Sequence, residues 1–331
     1  MDAYGLVLRS SKPSVTNPHT IECRSYAKIN LSLRILGRRP DGYHQIDTIL
    51  QTCSLHDTIR FASRSDNDVV LHCDDVNIPG DGTNLIVRAA LALREKFARE
   101  DGVDIQLTKN IPAQGGLGGA SSNAAVSVLA LSELWELDLS KEDIRTVFST
   151  LGSDVPFFLS GGTARAVGTG TEIIPLPDIS KTHLIIVTPN AKVSTPVAYA
   201  ALKAPSLTTQ GSVSILSSSF AEPSFKELNS AALHNDFEGV IFEIEPEIRR
   251  AKQALLDSGA KGGLLAGSGS SVFGIFEDEE AREQALATLK CEQGWQVFSC
   301  ETISRAAYLK SLISSGSRCL RSLNLQTDTG A

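Results

Sequence analysis

Residues 111–137 read IPAQGGLGGASSNAAVSVLALSELWEL. Gly115, Gly116, Gly118 and Gly119 run directly into an alanine-rich apolar segment. From Ser121 onward Ala124, Val128, Leu131 and Trp135 recur at helical spacing, with Ala125 and Leu129 beside them. Ser121 or Ser122 is the expected N-cap, because a hydroxyl there accepts from an otherwise unbonded amide of the first turn. Such amides, with the positive end of the helix dipole, make an anion site, and glycines ahead of them let the backbone approach a ligand closely. The stretch therefore reads as a phosphate cradle or as a flexible turn before a core helix. It is not a Walker loop, since no lysine follows the glycines. Nor is it a dinucleotide fingerprint, since the strand ending at Lys109 leads into Pro112 and a long loop.

Working outward, VDIQLTKN alternates and predicts the strand that enters the loop. Upstream, Thr83 or Asn84 caps a helix over LIVRAALALREKFA, and DTIRFAS and DVVLHCD are short strands. YAKINLSLRIL alternates cleanly: Ile29, Leu31, Leu33 and Ile35 share an apolar face, and Lys28, Asn30, Ser32 and Arg34 a polar one. Pro40, Asp41 and Gly42 signal a turn after it. Downstream, Ser140 with Asp143 forms a capping box opening a helix to about Leu151. GTARAVGTGTEIIPL predicts a strand pair around 168–170, and KTHLIIVTP a buried strand that opens a second domain. A Ser-rich span near 206–220 is a loop or a poorly ordered short helix, with helices expected at about 225–233 and 245–258. GGLLAGSGSSVFGIF gives strand, glycine turn, strand; a helix EEAREQALATLK and a strand WQVFSCETI follow. Strands and helices mix without a steady βαβ alternation, which predicts an α+β chain with two layers per domain. The expected boundaries are an arm at 1–20, domains at 21–179 and 180–310, and a tail at 311–331.

The chain has 331 residues, a net charge of −7, 42% hydrophobic and 21% charged residues, which places it among soluble globular proteins. No lysine-arginine block stands out, so nucleic acid and anionic membrane are not expected partners, and the longest apolar runs are strand-sized. The six cysteines show no CxxC pairing, and the N-terminus lacks a signal-like apolar segment; both point to a reducing, cytoplasmic compartment. No His/Cys cluster has zinc spacing and no G-x-S-x-G elbow is present.

Three further places carry chemistry. Lys28 sits on its strand's polar face beside Asn30, and Tyr43 and His44 follow in the next turn; the plain alternative is a solvated surface lysine. Asp154, in LGSDVPFFLSGG, is either a helix N-cap ahead of Pro156 or a carboxylate that orients a substrate hydroxyl for phosphoryl transfer. LAGSGSSVF, with Gly267, Ser268 and Gly269, is a hairpin turn or a second anion loop.

AKINLSLRILGRRPDGYH, IPAQGGLGGASSNAA, LGSDVPFFLSGG and LAGSGSSVF occur in the order found in the GHMP kinase superfamily, which the chain resembles over about residues 24–308. The resemblance implies a ribosomal protein S5 domain 2-like N-terminal domain, a ferredoxin-like C-terminal domain and an active site between them. It implies ATP as phosphate donor with Mg²⁺, and the DGYH and SDVPFF blocks point to members whose acceptor is a cytidine diphosphate-linked methylerythritol. Such members phosphorylate its 2-hydroxyl on the non-mevalonate route to isoprenoid precursors. Carried over by position, Lys28 and Asp154 are the catalytic pair. Asn84, Lys109, Pro112, Gln114, Gly115, Gly116, Leu117, Gly118, Gly119, Ala120, Ser121 and Ser122 fall where the family holds ATP. Asn30, Tyr43, His44, Tyr199, Gly267, Ser268 and Gly269 fall where it holds the acceptor, with Tyr43, His44 and Tyr199 at the cytidine end. Metal ligands are not placed by the resemblance, and the expected state is a monomer or weak homodimer. Gln114 and Ala120 stand where the family commonly has glycine, and Tyr199 where it often has phenylalanine. The alternatives are another member, such as a mevalonate or homoserine kinase, or a non-catalytic sensor on the same fold. The DGYH element argues against the first and the retained Lys28 and Asp154 against the second.

Overall fold

The computed structural model describes residues 19–205 and 233–313. The Ser-rich span at 206–220, nearly all of the helix expected at 225–233, and nearly all of the arm and tail lie outside the described residues.

Two long strands organise the first domain. β1 (Thr20–Arg38) and β2 (His44–Ser63) pair antiparallel along almost their whole length, around a turn at residues 39–43. The reading of DTIRFAS as a separate short strand is corrected here: it is the far half of β2. Residues 46–53 in the near half of the strand are buried. Gln51 Nε2 donates to the carbonyls of Thr52 and Ile303, at 2.8 and 2.9 Å.

β3 (Val69–Cys73) and β4 (Val103–Thr108) run parallel and are joined by α1 (Leu85–Phe97), the crossover that a parallel pair requires. α2 (Gly119–Leu134) packs on β1, β2 and α1, and α3 (Lys141–Ser149) follows with the Ser140–Asp143 capping box formed. A four-residue turn of helix, α4 (Phe157–Ser160), leads into β5 (Thr163–Gly168) and β6 (Glu172–Pro175), which extend the sheet from β2.

β7 (His183–Pro189) begins the second sheet, and α5 (Thr195–Leu202) follows it. β8 (His234–Asn235) returns to pair with β1 in the first sheet. Then come α6 (Phe237–Ile244), α7 (Pro246–Asp257), β9 (Gly262–Leu265), β10 (Val272–Phe276), α8 (Glu279–Leu289), β11 (Trp295–Glu301) and α9 (Arg305–Ile313). The second sheet is antiparallel in the order β11-β7-β10-β9, with α7 and α8 packed on it, a ferredoxin-like layer.

The two sheets share a core. Ala27, Ile29, Leu31 and Cys53 of the first sheet pack with Leu184, Ile186, Leu264 and Phe273 of the second. This corrects the expectation of a strand with one solvated face: residues 25–33 of β1 are buried on both sides. The expected end of the second domain at residue 310 falls inside α9. Tyr308, Leu309 and Leu312 of that helix belong to the core of the first domain.

Candidate active site

Lys28 is 4% exposed and sits where the strand, the glycine loop and α4 meet. Its amide donates to the carbonyl of Leu117 at 2.9 Å, so the loop runs directly beside β1. Its ammonium donates to Asn30 Oδ1 at 2.9 Å and lies 3.5 Å from Asp154 Oδ2. Asn30 in turn donates to Thr48 Oγ1 (2.8 Å), whose hydroxyl donates to the carbonyl of Ser32 (2.6 Å). This relay fixes the buried cation from behind while Asp154, with 39% of its side chain exposed, faces the open side. Asp154 does not cap a helix with its side chain; its carbonyl accepts from the Phe157 amide, and Pro156 occupies the cap position of α4.

The glycine loop is built on left-handed backbone. Gly116 and Gly118 have φ of +76° and +70°. A Cβ at Gly116 would stand 2.0 Å from the carbonyl oxygen of Ala266, and one at Gly118 2.9 Å from Lys28 Cγ. Gln114 also adopts positive φ, +58°, a conformation that glycine takes without steric cost. The helix begins earlier than the sequence indicates: Gly118 is the N-cap and no side chain caps it. Ser122 instead accepts from the Ser25 hydroxyl at 2.8 Å, buried against β1. The first-turn amides, from Gly119 to Ser121, therefore have no hydroxyl competing for them, and helix geometry leaves them without intrahelical acceptors.

The second loop closes over the first. The Ser271 amide donates to the carbonyl of Gly115 at 3.1 Å. A Cβ at Gly267 would lie 3.0 Å from the Gly116 oxygen and 3.4 Å from Lys28 Nζ. Asn235 Nδ2 holds this loop by donating to the carbonyls of Leu265 and Gly267, each at 2.8 Å. Ser268 Oγ meets Thr195 Oγ1 at the N-terminus of α5. The two Gly/Ser loops thus form one unit around Lys28.

At the outer side His44 stacks on Tyr199, with ring centroids 4.5 Å apart and planes at 28°. Phe237 meets Tyr199 edge-on at 4.9 Å. The two segments that carry His44 and Tyr199 thus converge, and at this spacing the rings touch, so that no planar ring fits between them. Tyr43 is 67% exposed beside them. Burial, reinforced by the charge of Asp154, pushes the Tyr199 phenol up to about 12, so it stays a donor. Burial, then the charge of Arg38, holds the His44 imidazole below its usual value. A cleft of about 1390 Å³ opens here, lined by Tyr43, His44, Ser153, Pro156, Thr195 and Tyr199 among others. Asp154 lies between two of its wall residues, whereas Lys28 and the glycine loop do not line it.

Besides Ser122, two of the residues assigned to ATP are engaged elsewhere. Asn84 caps α1 by accepting from the Ile86 amide at 2.9 Å. Lys109 is ion-paired with the fully buried Asp57 at 2.9 Å and also donates to the Ile111 carbonyl. Pro112 is half-buried and Ala120 exposed at the loop's two ends. Thr48, Asp57, Asn123 and Asn235 escaped the sequence reading, since each acts through partners distant in the chain. Among the described residues no group of three or more His, Cys, Asp or Glu could hold a metal ion. No described helix is long and apolar enough to cross a membrane.

Residues 84–162 match the model of the GHMP kinases N-terminal domain, and residues 216–294 that of the GHMP kinases C-terminal domain. The chain is 38% identical over 279 residues to the 4-diphosphocytidyl-2-C-methyl-D-erythritol kinase of Syntrophus aciditrophicus, covering 84% of this chain and 98% of that one. It is 39% identical over 284 residues to the enzyme of that name from Geotalea daltonii, covering 86% and 99%. A crystal structure of 4-(cytidine 5'-diphospho)-2C-methyl-D-erythritol kinase superposes with a TM-score of 0.69 at 31% identity, covering 85% of this chain and 99% of that one. A homoserine kinase from Cytophaga hutchinsonii shares the fold, with a TM-score of 0.63 at 19% identity and coverage of 89% and 100%.

Proposed function

Because this chain belongs to the GHMP kinases and, among them, to the 4-diphosphocytidyl-2-C-methyl-D-erythritol kinase family, we propose that it transfers the γ-phosphate of ATP to the 2-hydroxyl of that cytidyl erythritol, with Lys28 and Asp154 as the catalytic pair. The observation that carries the residue assignment is the placing of Lys28: its Nζ lies 3.5 Å from Asp154 and 3.4 Å from where a Gly267 Cβ would be, while its Cγ and Cε run against Gly118 of the other Gly/Ser loop.

A carboxylate is too weak a base to strip an alcohol before the phosphoryl group begins to leave. Asp154 therefore orients the hydroxyl and takes its proton late, as a loose transition state allows. Lys28, fixed by Asn30, offers its remaining donor capacity to the oxygen on which charge develops. The first-turn amides of α2 and the loop around Gly116 and Gly118 take the phosphates, whose approach the missing side chains permit. Mg²⁺ would spread the charge of the triphosphate. With no cluster of three ligating side chains among the described residues, phosphate oxygens and water would supply most of its ligands. Tyr43, His44 and Tyr199 would receive the cytosine ring at the mouth of the cleft, on the outer faces of the stack or by parting it. The decisive experiment is ATP turnover with the cytidyl erythritol, mevalonate and homoserine as acceptors. Turnover restricted to the first supports the assignment; preference for either of the others removes it.

A further inference from the structure

Asp57 touches neither the catalytic pair nor the acceptor cleft, yet it is fully buried and accepts around the glycine loop from four groups. Its Oδ1 accepts from the backbone amides of Asn110 (2.8 Å) and Ile111 (2.7 Å). Lys109 Nζ bonds both oxygens, at 3.1 and 2.9 Å, and Asn123 Nδ2 donates to Oδ2 at 3.0 Å. The donors come from the two ends of one segment. Residues 109–111 lead into the loop, and Asn123 lies on α2 just beyond it. Lys109 Nζ also donates to the Ile111 carbonyl and lies 3.4 Å from where a Gly119 Cβ would be. One carboxylate thus joins the start of the loop, an ammonium and the first turns of the helix. A buried carboxylate is tolerated because its acceptor positions are filled in this way.

We propose that Asp57 is the positioning residue of the nucleotide loop: by pinning the lead-in to α2, it sets the loop amides in the geometry that holds a triphosphate. The inference rests on the kinase reading above. Without the clamp the loop would have to be ordered at each binding event, and that ordering would be taken from the affinity for ATP. Charge matters as much as shape. An asparagine at position 57 keeps the outline but turns one acceptor oxygen into a donor facing Lys109 or the amides.

The test uses the full chain, with equilibrium binding of ATP in the absence of acceptor and steady-state kinetics with both substrates. Asp57→Asn is expected to weaken ATP binding and raise its KM by about tenfold or more, leaving acceptor KM nearly unchanged and most of kcat recoverable at saturating ATP. A lower Tm with both KM values unchanged would make Asp57 a support of the fold alone and overturn the proposal, as would an equal rise in both. If Asp57→Asn does not fold, Asn123→Ala decides, since it removes one donor and keeps the carboxylate. It is expected to raise ATP KM a few-fold and to speed hydrogen exchange at the amides of residues 110–118. Unchanged KM and unchanged exchange in that variant overturn the clamp. A wild-type protein that neither binds ATP nor turns over any acceptor sinks the kinase reading instead.

Discussion

Only 5% of the Lys28 side chain is exposed while Asp154 keeps 39% of its own in contact with solvent, so solvent reaches the pair from the carboxylate's side. Asp154→Asn keeps the outline of the side chain but leaves the buried Lys28 ammonium without its counter-charge, held by Asn30 alone, so Tm is expected to fall. At temperatures where the variant is folded it is expected to lose about 10²–10⁴ in kcat, read by single-turnover phosphoryl transfer. A near wild-type kcat in a folded variant would remove Asp154 from the chemistry. Lys28→Met should melt close to the wild type and lose kcat likewise, since methionine suits a strand buried on both faces and removes only the ammonium and its bond to Asn30. The pair proposed as catalytic could be picked out of the sequence because each residue sits in a local motif, and the structure brings the two within 3.5 Å of each other. The environment of Lys28 could not: YAKINLSLRIL alternates like a strand with one wet face, and nothing local says that a second sheet covers the other. Gln114 shows the opposite case. It stands where the resemblance leads one to expect glycine, and its φ of +58° is a conformation that glycine takes without steric cost.

The aromatic pair and the two loops are properties of elements. His44 opens β2 and Tyr199 lies in α5, so the stack ties the first sheet to a helix that follows the second sheet's first strand. Tyr199 also packs on Phe237, which means Tyr199→Ala should lower Tm as well as acceptor affinity. The discriminating readout is the pair of KM values: acceptor KM is expected to rise by about tenfold, the worth of one base-stacking ring, while ATP KM stays put. The His44 value is depressed below its unperturbed 6.5, so the folded protein resists a proton that the unfolded chain accepts. His44's contribution is thus complete above about pH 6.5 and is lost as pH falls through the window beneath it. An NMR titration placing the His44 midpoint at or above 6.5 would contradict this. The loops make a harder prediction. Gly116→Ala places a methyl 2.0 Å from the backbone oxygen of Ala266, where no side chain can swing aside, and does so at positive φ. The two loops must separate, so ATP affinity and Tm are expected to fall together; a variant with wild-type values of both would show that the loops are not held in register. From the sequence both loops were visible as Gly/Ser runs with helix or strands around them. Their contact was not, because Gly115 and Ser271 lie far apart in the chain.

At the scale of the molecule, α9 ties the end of the described chain to its beginning. Sequence reading assigned residues up to 310 to the second domain, because the strand WQVFSCETI precedes them and short weakly periodic segments give no hint of their partner. The helix instead crosses back to the first core, where Tyr308 is fully buried, meets Tyr26 edge-on at 5.8 Å and donates its hydroxyl to the Phe158 carbonyl at 2.6 Å. Gly161 lies flat against the same ring, since a Cβ there would come within 2.1 Å of it. The turn that carries Asp154 is thereby held from below: α4 contributes Phe157 and Phe158 to the core, and Tyr308 locks the carbonyl of the second. Two effects should follow from Tyr308 and can be separated. Tyr308→Ala opens a cavity in the core and is expected to cost about 3–5 kcal/mol of stability by chemical denaturation. Tyr308→Phe keeps the packing and removes only the bond to Phe158, so its stability cost should be about 1–3 kcal/mol, the range for stranding a buried acceptor. If the lock sets the position of Asp154, Tyr308→Phe will lower kcat with both KM values unchanged, at temperatures where the variant is fully folded. If α9 only adds buried area, Tyr308→Phe will keep wild-type kcat at those temperatures. Measuring kcat against temperature for the two variants, with circular dichroism to fix the folded range, tells these outcomes apart.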